Sequence, residues 1–212
     1  MAILKSILFL FLATNTIAQT NLHDTTSKTS RDTLYLYFPL KQAGQTTNES
    51  TNSLDTFLNV WYSRMLTAMK EPTLTDYQGD NEIYRFTWLR TFHKPIVIRI
   101  QKTKDKIVLT EKMLSGAGGY DPGQIILDTN LVLTSEIWNS VQDKISKLSF
   151  WTLPAETEFR GNDGAEWIIE GSTSDKYHFT TRWSAGKGTV YGNFCLYLLS
   201  LSSIKVSNLD IY

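Results

Sequence analysis

Two stretches near the C-terminal end carry the densest set of groups able to do chemistry. The first is Gly161-Asn162-Asp163-Gly164-Ala165-Glu166-Trp167-Ile168-Ile169-Glu170-Gly171, and the second is Tyr177-His178-Phe179-Thr180-Thr181-Arg182-Trp183. A carboxylate within hydrogen-bond reach of an imidazole can move protons, and a guanidinium beside them can hold an anionic group. Both stretches read as strands. Alternation puts Trp167 and Ile169 on one face of the first, and Tyr177, Phe179 and Trp183 on one face of the second. If those apolar faces coincide, one register sets Glu166 opposite Arg182, Ile168 opposite Thr180 and Glu170 opposite His178. The opposite face then carries two acid–base pairs, and Glu170 is expected to raise the His178 pKa. The competing reading is a solvated sheet face whose cross-strand ion pairs contribute about 0.2–1 kcal/mol each. Asp163 and Glu158, in the loop before the first strand, are candidates to extend a polar site or are simply solvated.

Established catalytic arrangements are absent from the rest of the sequence. There is no G-x-S-x-G elbow, no H-E-x-x-H, no phosphate-binding Gly-rich loop ending in Lys-Ser or Lys-Thr, and no paired cysteine ligands. The three histidines are His23, His93 and His178, and His23 falls in an N-terminal stretch of low apolar content, so no histidine-based metal centre and no cofactor is expected. Gly116-Ala117-Gly118-Gly119-Tyr120-Asp121-Pro122-Gly123 has the glycine content of an anion cradle. It joins two strands, however, and no helix N-terminus follows, so it reads as a turn whose glycines supply positive φ. Cys195 lies in an apolar segment and reads as a small core residue, with nothing near it in sequence to form a thiolate.

The elements that must position these groups follow from periodicity. Thr33–Phe38 is β-branched and aromatic, the composition of a first strand. Leu54, Phe57, Leu58, Trp61, Tyr62, Met65, Leu66 and Met69 recur at helical spacing, predicting an inward face capped by Asn52 or Ser53 and stopped before Pro72. From Asn81 to Thr134 the period becomes two, predicting a meander of antiparallel strands with one face buried and a hairpin turn at Lys104-Asp105. Thr134 or Ser135 caps a second helix that turns Ile137, Trp138, Val141, Ile145 and Leu148 inward. After the two site strands, Val190–Leu201 is almost wholly apolar and reads as a buried helix. The order predicts a single α+β domain over 33–212, mainly antiparallel sheet with about three helices packed on it.

The N-terminus reads as an address. Lys5 precedes a short apolar run, Ile7–Ala13, and Thr16-Ile17-Ala18 places small residues where signal peptidase reads, so cleavage is expected after Ala18. The run is too short to span a membrane, so no stable insertion is expected after cleavage, and the mature protein is expected in the periplasm or outside the cell. Residues 19–32 and 41–52 are rich in Thr, Ser, Asn and Gln and read as a flexible N-terminal segment and a surface loop. One cysteine cannot close an intrachain disulfide, so stability must come from burial, to which aromatic residues, 12% of the chain, contribute. With 21 basic and 21 acidic residues, charge gives no case for a nucleic-acid partner.

Trp151-Thr152-Leu153-Pro154, Asp163-Gly164-Ala165-Glu166-Trp167, Glu170-Gly171, Tyr177-His178 and Arg182-Trp183, with Arg90-Thr91-Phe92-His93-Lys94-Pro95 and Gly116-Ala117-Gly118-Gly119-Tyr120 upstream, resemble a family of uncharacterised exported bacterial proteins. The resemblance spans roughly residues 80 to 200. It implies a bacterial envelope setting and brings no activity, cofactor or catalytic residue. The sequence thus leads to an exported domain that binds a small molecule, glycan or envelope protein through Glu166, Glu170, His178, Arg182 and Asp163. The alternative is an envelope hydrolase using Glu170 or Asp163 with His178, and self-assembly through a sheet edge is a third possibility.

Overall fold

In a computed structural model of the chain, the described residues are 35–41, 53–75, 77, 79–156 and 161–212. The expected signal peptide, the flexible segment 19–32, most of the loop at 41–52, and Glu158 lie outside them. From Tyr35 onward the described residues belong to one compact unit.

Among the described residues, nine main elements form where the periodicity changes. Helix α1 (Thr56–Ala68) starts at Asp55, whose carboxylate accepts from the Leu58 N–H at 2.9 Å. That cap replaces the expected Asn52 or Ser53 and satisfies one of the first-turn donors. The helix ends at Ala68, before Pro72 is reached. Strands β1 (Glu82–Arg90), β2 (Ile96–Lys102), β3 (Ile107–Leu114) and β4 (Ile125–Leu133) follow as the expected meander. The expected hairpin turn, between β2 and β3, closes where Thr103 N–H meets Lys106 O, spanning Lys104-Asp105. Helix α2 (Ser135–Leu148) is capped by Thr134 and ended by Ser149 in the left-handed conformation. Of its expected inward residues, Trp138, Val141, Ile145 and Leu148 are buried, and Ile137 sits at the margin. Then come β5 (Ala165–Ser172), β6 (Tyr177–Trp183) and the apolar α3 (Val190–Ser200), capped by Thr189.

The strands make one antiparallel sheet in the order β4-β3-β2-β1-β5-β6, an α+β fold as the sequence predicts. Helices cover both faces. On one face α2 and α3 pack over Tyr84, Phe86, Trp88, Ile98, Trp167 and Ile169. On the other, α1 packs over Leu89, Val97, Leu114, Ile168 and Phe179. Strand β1 is therefore buried from Ile83 to Arg90 and β5 along its whole length, where a single buried face was expected.

The segment expected to be the first strand is not in the sheet. Its described residues, Tyr35–Phe38, belong to no strand and are held by the side chains of α1. Tyr37 N–H donates to Ser63 Oγ at 2.9 Å, and the Asn59 side-chain amide donates to Phe38 O at 2.6 Å. Strand-like composition here reflects burial of Tyr37 and Phe38 under α1, with Asn59 and Ser63 supplying the partners a neighbouring strand would have given.

Candidate functional site

The register of β5 against β6 decides the fate of the proposed polar row. Glu166 lies opposite Trp183, Trp167 opposite Arg182, Ile168 opposite Thr181, and Glu170 opposite Phe179. This is one residue away from the expected pairing, so Glu166 and Glu170 face α1 while His178 and Arg182 face α2 and α3. The two expected acid–base pairs do not form. The premise that failed is that the aromatic faces coincide: with helices on both sides, each strand buries an apolar set on either face.

Each residue is accounted for separately. Glu170 and Arg85 have fully buried side chains and meet fork to fork, Nε to Oε2 and Nη2 to Oε1 both at 2.7 Å, with the Tyr177 hydroxyl donating to Oε1 at 3.1 Å. Burial pushes the Glu170 carboxyl up, and the Arg85 guanidinium offsets only part of that. Arg85 continues to Pro72 O at 2.7 Å and Glu71 at 3.3 Å, and Glu71 also takes Arg99 at 2.9 Å and Lys112 at 3.2 Å. Burial opposes charge on Glu71, but Arg85, Arg99 and Lys112 together hold its carboxyl below the usual range. This chain of charges runs across β5, β1, β2 and β3 beneath α1 and the segment after it. Arg85, Glu71 and Glu170 are too deeply enclosed to touch a ligand; their chemistry is mutual neutralisation. Glu166 is likewise buried and accepts from the Thr181 hydroxyl.

On the other face, His178 Nε2 lies 3.0 Å from Leu153 O, which fixes the proton on that nitrogen because a carbonyl can only accept. Its ring packs edge-on against Phe150 at 5.1 Å. Burial lowers its pKa, with the Arg182 charge adding to that, and Glu170, expected to raise it, lies on the other face of the sheet. Arg182 donates to Thr181 O at 2.7 Å and Pro154 O at 3.0 Å, and lies over the Tyr191 ring. His178 and Arg182 thus tie β6 to the segment after α2.

The Gly116–Gly123 loop holds no cradle. Its N–H groups from Gly116 to Tyr120 are spent on Pro122 O, Asp121 O, His93 O, Thr91 O and Ala117 O in turn. Only Gly123, at φ 68°, supplies the positive φ expected of these glycines. Gly118 is needed for close approach, since a Cβ there would lie 2.6 Å from the Arg90 backbone.

That close approach builds a place where a predicted site residue, Asp163, meets an open cavity. The loop is drawn against β1 and Trp61 Nε1 donates to Gly118 O at 2.7 Å, which leaves a groove between α1, the loop and the start of β5. It measures about 570 Å³ and is lined mainly by Phe57, Trp61, Tyr120 and Trp183, with Asn162 and Asp163 supplying polar groups. Phe57 and Tyr120 are 75% and 60% exposed. An ion pair of 2.8 Å between Arg64 and Asp121 borders it. Phe57 was expected to face inward. The helix turns it out because the inward arc is filled by Leu58, Tyr62, Met65, Leu66 and the buried Asn59 and Ser63. Phe57, Trp61 and Arg64 follow one another at steps of four and three, a second stripe legible in the sequence once the first is assigned to the core.

Among the described residues, no group of three or more His, Cys, Asp and Glu is placed to hold a metal ion, and no helix is long and apolar enough to cross a membrane. Cys195 is buried and its thiol pKa is pushed up by that burial. A scan against protein-family models and a search of curated proteins each found no match to this chain.

Proposed function

We propose that the protein is an exported binding module, cleaved after Ala18, whose ligand is a glycan or a similar small ring-bearing molecule seated in the groove beside α1. The observation that carries this reading is the open aromatic lining, with Phe57 and Tyr120 both well exposed beside Asn162 and Asp163. Exposed large rings that line one concavity are uncommon on a surface without a use. Aromatic faces offer large contact at low entropic cost, and a carboxylate and an amide nearby can read hydroxyls. Asp163 is retained from the sequence reading, while Glu166, Glu170, His178 and Arg182 give way to groove residues. The hydrolase alternative has lost its Glu170–His178 pair to opposite faces of the sheet.

The test is thermal unfolding of the chain from Gln19 with a panel of oligosaccharides and, as competitors, peptides and nucleotides. A ligand at 100 times its Kd stabilises the fold by about 2.7 kcal/mol. We expect a glycan-dependent upward shift in the wild type that disappears in Phe57→Ala and in Asp163→Ala. His178→Ala should keep the shift from its own lower baseline. A panel without any glycan response, or a response indifferent to Phe57 and Asp163, defeats the reading.

A further inference from the structure

The six-stranded sheet has two outer edges, and the molecule treats them differently. The outer side of β6 is occupied: Thr181 N–H donates to Ala155 O at 2.7 Å, and His178 and Arg182 hold Leu153 and Pro154 alongside. Strand β4 has no such cover. Beyond its pairing with β3, no backbone group from Ile125 to Leu133 bonds to any described residue; the side chains of Asn130 and Asp128 reach back to β3, Asn130 accepting from the Thr110 hydroxyl at 2.7 Å and Asp128 lying 3.6 Å from Lys112. The devices that ordinarily blunt an exposed edge are also missing from its middle. It has no proline and no lysine, its only charge is Asp128, and its single irregularity lies at the Ile125 end opposite Met113 and Leu114. Ile126 and Val132 are 50% and 77% exposed on the face that α1 leaves open.

We propose that β4 pairs with β4 of a second copy, antiparallel about a two-fold axis, so that two sheets become one. The strand is self-complementary in one register. With Thr129 on the axis, Asp128 falls opposite Asn130 and Ile126 opposite Val132 on one face, while Leu127 falls opposite Leu131 on the other. Away from the axis, where Thr129 faces its own copy, every pair matches apolar with apolar or carboxylate with amide, and each occurs twice because the contact is isologous. Registers that keep the faces aligned move by a whole residue on each copy. One such step puts Asp128 directly against its own copy, a like-charge pair. The opposite step sets Asp128 against Val132. Half-buried Leu127 and Leu131 gain the neighbour that the sheet's end denies them.

Sedimentation velocity on the whole chain, beside the chain from Gln19, tests this. A reversible dimer is expected for both. Asn130→Asp, which sets carboxylate against carboxylate on both sides of the axis, should weaken the dimer at least about tenfold. Asn130→Lys should tighten it by placing an ammonium opposite each Asp128, and Val132→Lys should weaken it. Thermal midpoints confirm that each variant is folded; Asn130→Asp keeps an oxygen to accept from Thr110, and should Asn130→Lys, which has none, not fold, a dimer that Asn130→Asp and Val132→Lys both leave unweakened overturns the proposal. A wild type that stays monomeric to about 100 µM overturns the proposal. So does a dimer that Asn130→Lys and Val132→Lys affect alike or not at all.

Discussion

His178 shows how much a single side chain's role depends on which face it occupies. Its neutral ring bonds Leu153 O through Nε2, and burial keeps its pKa below the ordinary value of about 6.5. The unfolded chain therefore takes up a proton first as the pH falls. The stability that His178 supports is complete above the unfolded pKa and declines as the pH drops through the window between the unfolded and folded values. Glu71 acts in a separate window: its folded pKa is lowered, so its contribution persists above the carboxylate range and is lost only at more acid pH. We expect the wild type to lose stability between pH 7 and about 5.5, and His178→Gln, which keeps a donor for Leu153 without a titrating ring, to lose less over the same interval. Urea midpoints at each pH measure it; parallel slopes for the two proteins would show that His178 carries no proton linkage.

At the scale of the element, the loop between β3 and β4 does its work by proximity. Gly118 lets its backbone lie against Leu89 and Arg90 and presents a carbonyl to the Trp61 indole, so one glycine sets both the loop position and one wall of the groove. Gly118→Ala should cost roughly 1–3 kcal/mol, the range for forcing atoms into filled space, and should abolish ligand response together with stability. Gly188→Ala is a poor control because of its positive φ, so Ala117→Ser serves better. Equal denaturation midpoints for Gly118→Ala and wild type would rule out the close approach. The elements themselves were largely legible: period-two and helical spacing placed β1 to β6 and all three helices within a few residues. What was not legible was which side of each strand faced which layer. Alternation fixes register only when one face is apolar, and Trp167 with Ile169 and Glu166 with Ile168 both turned out to face packed helices. The first strand failed for a related reason, because Asn59 and Ser63 gave Tyr37 and Phe38 their hydrogen bonds from a helix.

Across the whole molecule, β1 and β5 belong to both cores at once, sending alternate side chains to α1 and to α2 with α3. Neither core can loosen without exposing the strands that support the other. Leu66→Ala, in α1, and Leu198→Ala, in α3, should each cost about 2–5 kcal/mol. Each should also move one shared midpoint, seen alike by tryptophan fluorescence and far-ultraviolet circular dichroism. Two separated transitions in either variant would mean that the cores melt independently. The candidate site was less legible than the fold at this scale, since Phe57, Tyr120 and Asp163 come from distant parts of the sequence and meet only because α1 and the β3–β4 loop close on the same end of the sheet.

The Arg85–Glu170 fork lies directly across the β1–β5 pairing, between two strands that are separated widely in sequence and apolar on both sides. A β5 docked one residue out of step during folding would exchange isoleucine and tryptophan for one another and bring a side chain where Gly171 now passes close to Phe150. The charges would register the mistake as well, since Glu170 would arrive in the α2 and α3 core while Arg85 stayed beneath α1. A lone buried charge left by a broken pair costs about 3–5 kcal/mol, which holds the misaligned chain to a minority of roughly one in a thousand. The ion pair thus proofreads the alignment alongside the packing around it.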